Sequence, residues 1–234
     1  MWWGDDDIAP LVNNETEIFG QRVNAATGAE IGGDFRLSDM GPDGNVFYSA
    51  VNPAVAYNNT NNHYLVVWWG DDDTVPLVGG EYEIFGQRVN AATGAEIGGD
   101  FRLSDMGPDG NAAYDAHSPA VAYNNTNNQY LVVWQGDDDT GPLVDDEFEI
   151  FGQRVNAATG AEIGGDFRLS DMGPDGNVNY GAVSPAVAYN STNDHYLVVW
   201  WGDDDIAPLV DNEFEIFGQL YDPRMRVFLP VVLK

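Results

Sequence analysis

Aspartates are the residues of this chain whose type and spacing could do chemistry. Asp71, Asp72 and Asp73 stand together, and Asp105 and Asp109 follow in the string Asp-Met-Gly-Pro-Asp-Gly. The set returns as Asp137, Asp138, Asp139, Asp171 and Asp175, and in part as Asp203, Asp204 and Asp205. Clustered carboxylates with Gly and Asn between them suit a hard cation. Calcium takes about six to eight oxygens, from carboxylates and carbonyls, and irregular loops supply both. The candidate metal ligands are therefore Asp71, Asp73, Asp105, Asp109, Asp137, Asp139, Asp171 and Asp175, with calcium as the candidate ion. The spacing is not that of an EF-hand, which needs acids at alternate positions and a closing glutamate. The competing reading is a solvated acidic rim that confers solubility.

Tryptophan supplies the second candidate. Trp68, Trp134 and Trp200 hold one recurring position, which marks it as core. The next position is Trp69, Gln135 and Trp201 in turn, so it belongs nearer a rim. Trp69 and Trp201 could stack on sugar rings, although core packing is the commoner role of tryptophan. His63 and His195 align with Gln129, and His117 stands alone. A required metal ligand or general base would not be a glutamine in one copy. Arg22, Arg88 and Arg154, with Arg36, Arg102 and Arg168, are expected to pair with acids across outer strands, in pairs that are individually weak.

These residues recur because the chain is a tandem repeat. Phe19, Phe85, Phe151 and Phe217 each sit in Ile-Phe-Gly-Gln at an interval of 66 residues, and the run from Glu17 to Asn45 returns letter for letter at Glu83 and at Glu149. Such a chain stacks copies of one supersecondary unit. One domain results, with a partial unit at 1–45, units at 46–111 and 112–177, and a last unit at 178–234 whose C-terminal tail diverges.

Within a unit, Pro53 to Asn58 reads as a slim first strand. His63 to Trp69 is apolar on both alternating faces, as in a strand buried on both sides. Glu83 to Val89 is a third strand, and Asp100 to Ser104 ends a fourth. Asn90 to Gly94 is a hairpin loop with Gly at the left-handed position. No segment shows sustained helical periodicity. The fold class is all-β, and four-stranded antiparallel units in tandem fit β-propeller blades, about 3.5 of them. A β-solenoid or a row of small sandwiches is the alternative. In an antiparallel blade, Asn59–Asn62 and Asn90–Gly94 share one rim. The loops Gly70–Gly80 and Ser104–Asn111 share the other, which is acidic.

Composition narrows the partners. The net charge is −29, with 9 basic against 38 acidic residues, so nucleic acid and anionic lipid are repelled. No stretch approaches a membrane-spanning helix. There is no cysteine, which excludes disulfides and thiolate metal sites. The opening Met1-Trp2-Trp3-Gly4-Asp5-Asp6-Asp7 matches the middle of a unit and reads as a piece of a longer repeat protein. An array of this kind closes as a four-blade ring or leaves apolar surface exposed, so self-association is expected, two chains forming one ring. The tail from Arg226 to Leu233 is expected to substitute for a fourth strand or to cap the array.

The string Tyr-Leu-Val-Val-Trp, followed by Ile-Phe-Gly-Gln-Arg-Val-Asn-Ala-Ala-Thr-Gly and Phe-Arg-Leu-Ser, resembles tandem β-propeller repeats of large secreted bacterial proteins. The tail resembles the C-termini of exported proteins of green non-sulfur bacteria. The resemblance implies an extracellular or cell-surface setting and transfers no catalytic residue. The acids are repeated rather than singular, and the Asp-box pattern of sialidase propellers is missing. The expectation is a non-enzymatic structural or adhesive module with an acidic rim. The alternative is a carbohydrate-binding, lectin-like propeller with a glycan or cell-surface partner.

Overall fold

The structure is a computed structural model. It describes residues 1–224 except Asp7, Asp73 and Asp211, together with the backbone of Leu229–Val231. Four antiparallel sheets follow one another along the chain. Sheet I holds β1 (Trp2–Asp5), β2 (Thr16–Val23) and β3 (Glu30–Arg36). Sheet II holds β4 (Ala50–Asn58), β5 (His63–Asp71), β6 (Tyr82–Asn90) and β7 (Phe101–Arg102). Sheet III repeats this with β8 (Ala116–Asn124), β9 (Gln129–Gly136), β10 (Glu149–Asn156) and β11 (Phe167–Arg168). Sheet IV has β12 (Ala182–Asn190), β13 (His195–Gly202), β14 (Glu215–Tyr221) and β15 (Leu229–Val231).

Each sheet is a meander in sequence order. The tail contributes β15 beside β14, as a substitute fourth strand. The remainder of that tail, 225–228 and 232–234, lies outside the described residues. No helix among the described residues is long and apolar enough to cross a membrane.

The second strand of each sheet explains the stacking. Its side chains alternate between faces, and both faces are apolar. Leu65, Val67 and Ile84 of sheet II pack with Tyr130, Val132, Trp134 and Phe151 of sheet III in one buried cluster. Leu131, Val133 and Ile150 on the other side of sheet III pack with Tyr196, Val198, Trp200 and Phe217 of sheet IV. Sheet I meets sheet II the same way, through Ile18, Leu37 and Met40 against Val66, Trp68 and Phe85. Trp68 and Trp134 have no exposed surface, and Trp200 very little, as their recurring position suggested.

Polar hooks fix the sheets relative to one another. Arg22 Nη1 donates to Ala92 O, and Arg88 Nη1 donates to Ala158 O, both at 2.7 Å. These two arginines hold carbonyls of the next sheet, not the acids that the sequence suggested. At the amide-rich rim, Asn58 Nδ2 of sheet II donates to Ala157 O of sheet III, while Ala91 N to Asn62 O and Ala157 N to Asn128 O join the two loops within each sheet. Gly94 has φ +79°, and its N–H closes the hairpin on Asn90 O. An L side chain there would be strained.

One buried acid staples each of the first three sheets. Glu83 accepts from Met106 N and from the Ser104 hydroxyl, while Ser104 Oγ accepts from Ile84 N at 2.6 Å. Glu17 with Ser38 and Glu149 with Ser170 repeat the arrangement. Burial pushes Glu83 up to about 8, and Glu17 and Glu149 up to about 7, against the lowering pull of these hydrogen bonds and of Arg102, Arg36 and Arg168.

The folded state therefore holds protons on these carboxyls that an unfolded chain releases near its ordinary 4.5. Stability from this source is complete below that value and is lost as pH rises through about 7 to 8. Calorimetry should show Tm falling between about pH 5 and about pH 9, and Glu83→Gln should flatten the slope. A Tm that rises over this interval would contradict the account. Trp134→Ala, in the most enclosed interface, should cost about 3–5 kcal/mol in denaturant unfolding.

Candidate functional site

The acidic rim assembles across sheets rather than within them. Asp138 Oδ1 of sheet III accepts from Gly107 N of sheet II, and Asp72 and Asp204 take Gly41 N and Gly173 N in the same way. The triple-aspartate loop thus meets the Pro-Asp-Gly turn of the preceding sheet.

Within that turn the predicted ligands have arginine partners. Arg102 binds Asp105 at 3.1 Å and Asp109 at 2.6 Å. Arg168 binds Asp171 at 2.5 Å and Asp175 at 2.8 Å. An arginine fork between two acids supplies the countercharge that a cation was expected to bring. Asp139 is exposed, and Asp73 lies outside the described residues.

Asp71 and Asp137 are buried instead. Each uses one oxygen to clamp the loop that follows, Asp71 Oδ2 on Gly80 N at 2.7 Å and Asp137 Oδ2 on Asp146 N at 3.0 Å. Burial, with Asp72, Glu81 and Asp115 nearby, pushes Asp71 up to about 6 against the pull of the Gly80 amide. Asp137 joins Asp145 and Asp146, whose carboxylate oxygens lie within 4.8 Å of one another. This trio could hold a metal ion. Asp145 and Asp146 escape a reading based on recurrence, because sheet II has Gly79 and Gly80 there.

A second feature gathers where the copies differ. At one cross-strand position the pairs are Val51–Trp69 in sheet II and Val183–Trp201 in sheet IV, but His117–Gln135 in sheet III. A β-bulge follows this position in all three sheets, in sheet III between His117 and Ala120 with Ser118 at φ +53°, so the side chain that it aims is what changes. Bulges of this kind re-aim a side chain. The His117 ring lies edge-on to Trp69 of sheet II, centroids 4.5 Å apart at 88°. Tyr82 lies 5.1 Å from Trp69 and 5.8 Å from His117, and Phe148 lies 6.4 Å from His117.

Asp115 completes the group. Its Oδ1 accepts from Tyr82 N at 3.1 Å, and its Oδ2 lies 3.7 Å from His117 Nε2. Its own N–H donates to Asp137 Oδ1 at 2.9 Å, which ties the group to the acidic trio. The corresponding residues are Ser49 in sheet II and Gly181 in sheet IV. Trp69, Tyr82, Asp115, His117 and Phe148 are all half-buried, so each shows one side to solvent. Of these, the sequence singled out Trp69 alone. His117 carries the signal that was there to read, a polar aromatic residue found in one copy only. Trp201, the other candidate, stacks on Phe214 at 4.5 Å and stays exposed at the end of the array.

No family model and no curated protein matches the sequence. Solved structures share its fold. Trypanosoma rangeli sialidase in complex with the inhibitor DANA aligns with a TM-score of 0.56 at 9% identity, over 93% of this chain and 33% of the sialidase. A Hadza microbial sialidase aligns at 0.56 and 8% identity, over 79% of this chain and 37% of its own. A family 117 glycoside hydrolase produced by the marine bacterium Zobellia galactanivorans aligns at 0.52 and 13%, over 93% and 61%. The chain spans less than two thirds of the length of each.

At these identities the likeness is one of fold, a propeller-like succession of antiparallel sheets. The expectation of a non-enzymatic, structural or adhesive module is corrected here. Proteins that share the fold are carbohydrate-active enzymes by name. The expectation also rests on uniform repeats, and the repeats are not uniform at the junction of sheets II and III.

Proposed function

We infer that the chain is a carbohydrate-active protein whose glycan site is the aromatic and carboxylate group between sheets II and III. One observation carries this reading. Trp69, Tyr82, Asp115, His117 and Phe148 come together at one junction, where the two residues that break the repeat, Asp115 and His117, join recurring aromatic residues. A sugar ring offers C–H faces to aromatic rings and hydroxyls to carboxylates, and this group presents both within one patch. Asp115 and His117 are the groups placed to exchange a proton with a bound sugar. In this reading the four sheets are blades of a propeller, and a setting outside the cell, where polysaccharide is met, fits it.

A panel of immobilised and soluble glycans, scored for retention and for released reducing ends, tests the site. The wild type should retain or cleave at least one class. Trp69→Ala should weaken it by roughly tenfold, the loss of about 1.4 kcal/mol of stacking. His117→Val with Gln135→Trp rebuilds the pair that sheets II and IV already carry, so it should fold and lose the glycan. Undiminished binding by that double variant would sink the assignment, as would a wild type inert to the whole panel.

Calcium enters this reading at Asp137, Asp145 and Asp146, where three hard oxygens converge below the site. Melting in millimolar calcium against chelator should show a rise in Tm that Asp145→Asn with Asp146→Asn removes. Equal melting in both buffers would discard the ion.

A further inference from the structure

The geometry points to a second copy of this chain as the partner of the open face of sheet IV, docked head to tail. Three times within the chain, one surface of a sheet covers the opposite surface of its neighbour. Ile18, Ile84 and Ile150 occupy one site on the trailing surface of sheets I, II and III, and each has 0% of its area exposed. Ile216 occupies that site in sheet IV and is 52% exposed. Around it, Trp201, Phe214 and Leu220 are exposed as well.

The opposite surface is open on sheet I. Val89 is 4% exposed in sheet II, whereas its counterpart Val23 is 54% exposed. Trp68 has 0% exposure and its counterpart Trp2 has 40%. Trp2 stacks on Phe19 at 6.2 Å, as Trp200 stacks on Phe217 at 6.5 Å in a buried interface. The two open surfaces thus match the two halves of an interface that the molecule already forms three times, except that sheet I lacks the first strand that β4, β8 and β12 supply there. Their complementarity follows from the repeat itself.

A substitution sharpens the point. Arg22, Arg88 and Arg154 share one position on the trailing surface, and sheet IV has Leu220 there. The exposed surface is the one that exchanges a charged residue for an apolar one. In water that exchange favours burial against a partner. Head-to-tail contact is heterologous, so it closes a ring when the rotation permits and extends otherwise. Two chains closing one ring is the arrangement proposed. The charge of −29 on each chain opposes it, so association should strengthen as salt shortens the Debye length to about 8 Å near 0.15 M.

Sedimentation of the full chain up to about 100 μM, a range that detects micromolar contacts, tests the proposal. The wild type should sediment at twice the monomer mass or above. Ile216→Asp alters only the trailing surface, and Val23→Asp only the leading one. Both residues are exposed, so both variants should fold, which circular dichroism checks. Each alone should be monomeric. Mixed one to one, they retain one intact pair of surfaces and should form a dimer that grows no further. A monomeric wild type overturns the proposal. So does a Val23→Asp variant that still dimerises, which would mean trailing surface against trailing surface, or a mixture that stays monomeric. A glycan or another protein would then be what covers sheet IV.

Discussion

Each sheet of this molecule has two apolar faces, and no sheet can bury both by itself. That constraint governs the rest. The strand Tyr-Leu-Val-Val-Trp of sheets II, III and IV sends Leu and Val to one side and Val and Trp to the other, so a neighbour is needed on each side. Face-to-face stacking follows, with Trp68 and Trp134 fully enclosed. Once sheets are held at interior packing density, the loops at their ends have fixed relative positions. The rims are consequences of the core.

The same packing explains how so acidic a chain folds. Among the described residues, the acids take four kinds of environment. Some lie exposed and solvated. Asp105, Asp109, Asp171 and Asp175 share arginines. Glu17, Glu83 and Glu149 are buried and drawn toward the neutral form. Asp71 and Asp137 spend their charge on loop amides. Hydrogen bonds and protonation offset burial where a bare carboxylate would be expelled. The rim is therefore a set of distinct local solutions, in spite of its uniform appearance in the sequence.

Recurrence serves architecture, and departure from recurrence serves the site. The pair Val51–Trp69 becomes His117–Gln135 one unit later, and both partners change together. His117 turns toward Trp69, while Gln135 reaches Ser184 N of sheet IV at 2.9 Å. Aligning His63 and His195 with Gln129 shows that histidine is dispensable at that position, whereas His117 aligns with Val51 and Val183. Its meaning lies in what the neighbouring sheet presents to it.

The sequence by itself determined the all-β class, the 66-residue unit, the strands, the buried tryptophans and the amide-rich and acidic rims. These depend on local chemistry: alternation of side chains, turn residues and invariance among copies. Tertiary structure decided which acids meet which partners. It placed Asp109 on Arg102, Asp138 on the preceding turn, Asp145 and Asp146 beside Asp137, and Asp115 beside His117. The Asp138 contact joins two sheets, and no spacing along the chain encodes the angle at which one sheet lies on the next; the others close within one loop or turn, whose path spacing alone does not give.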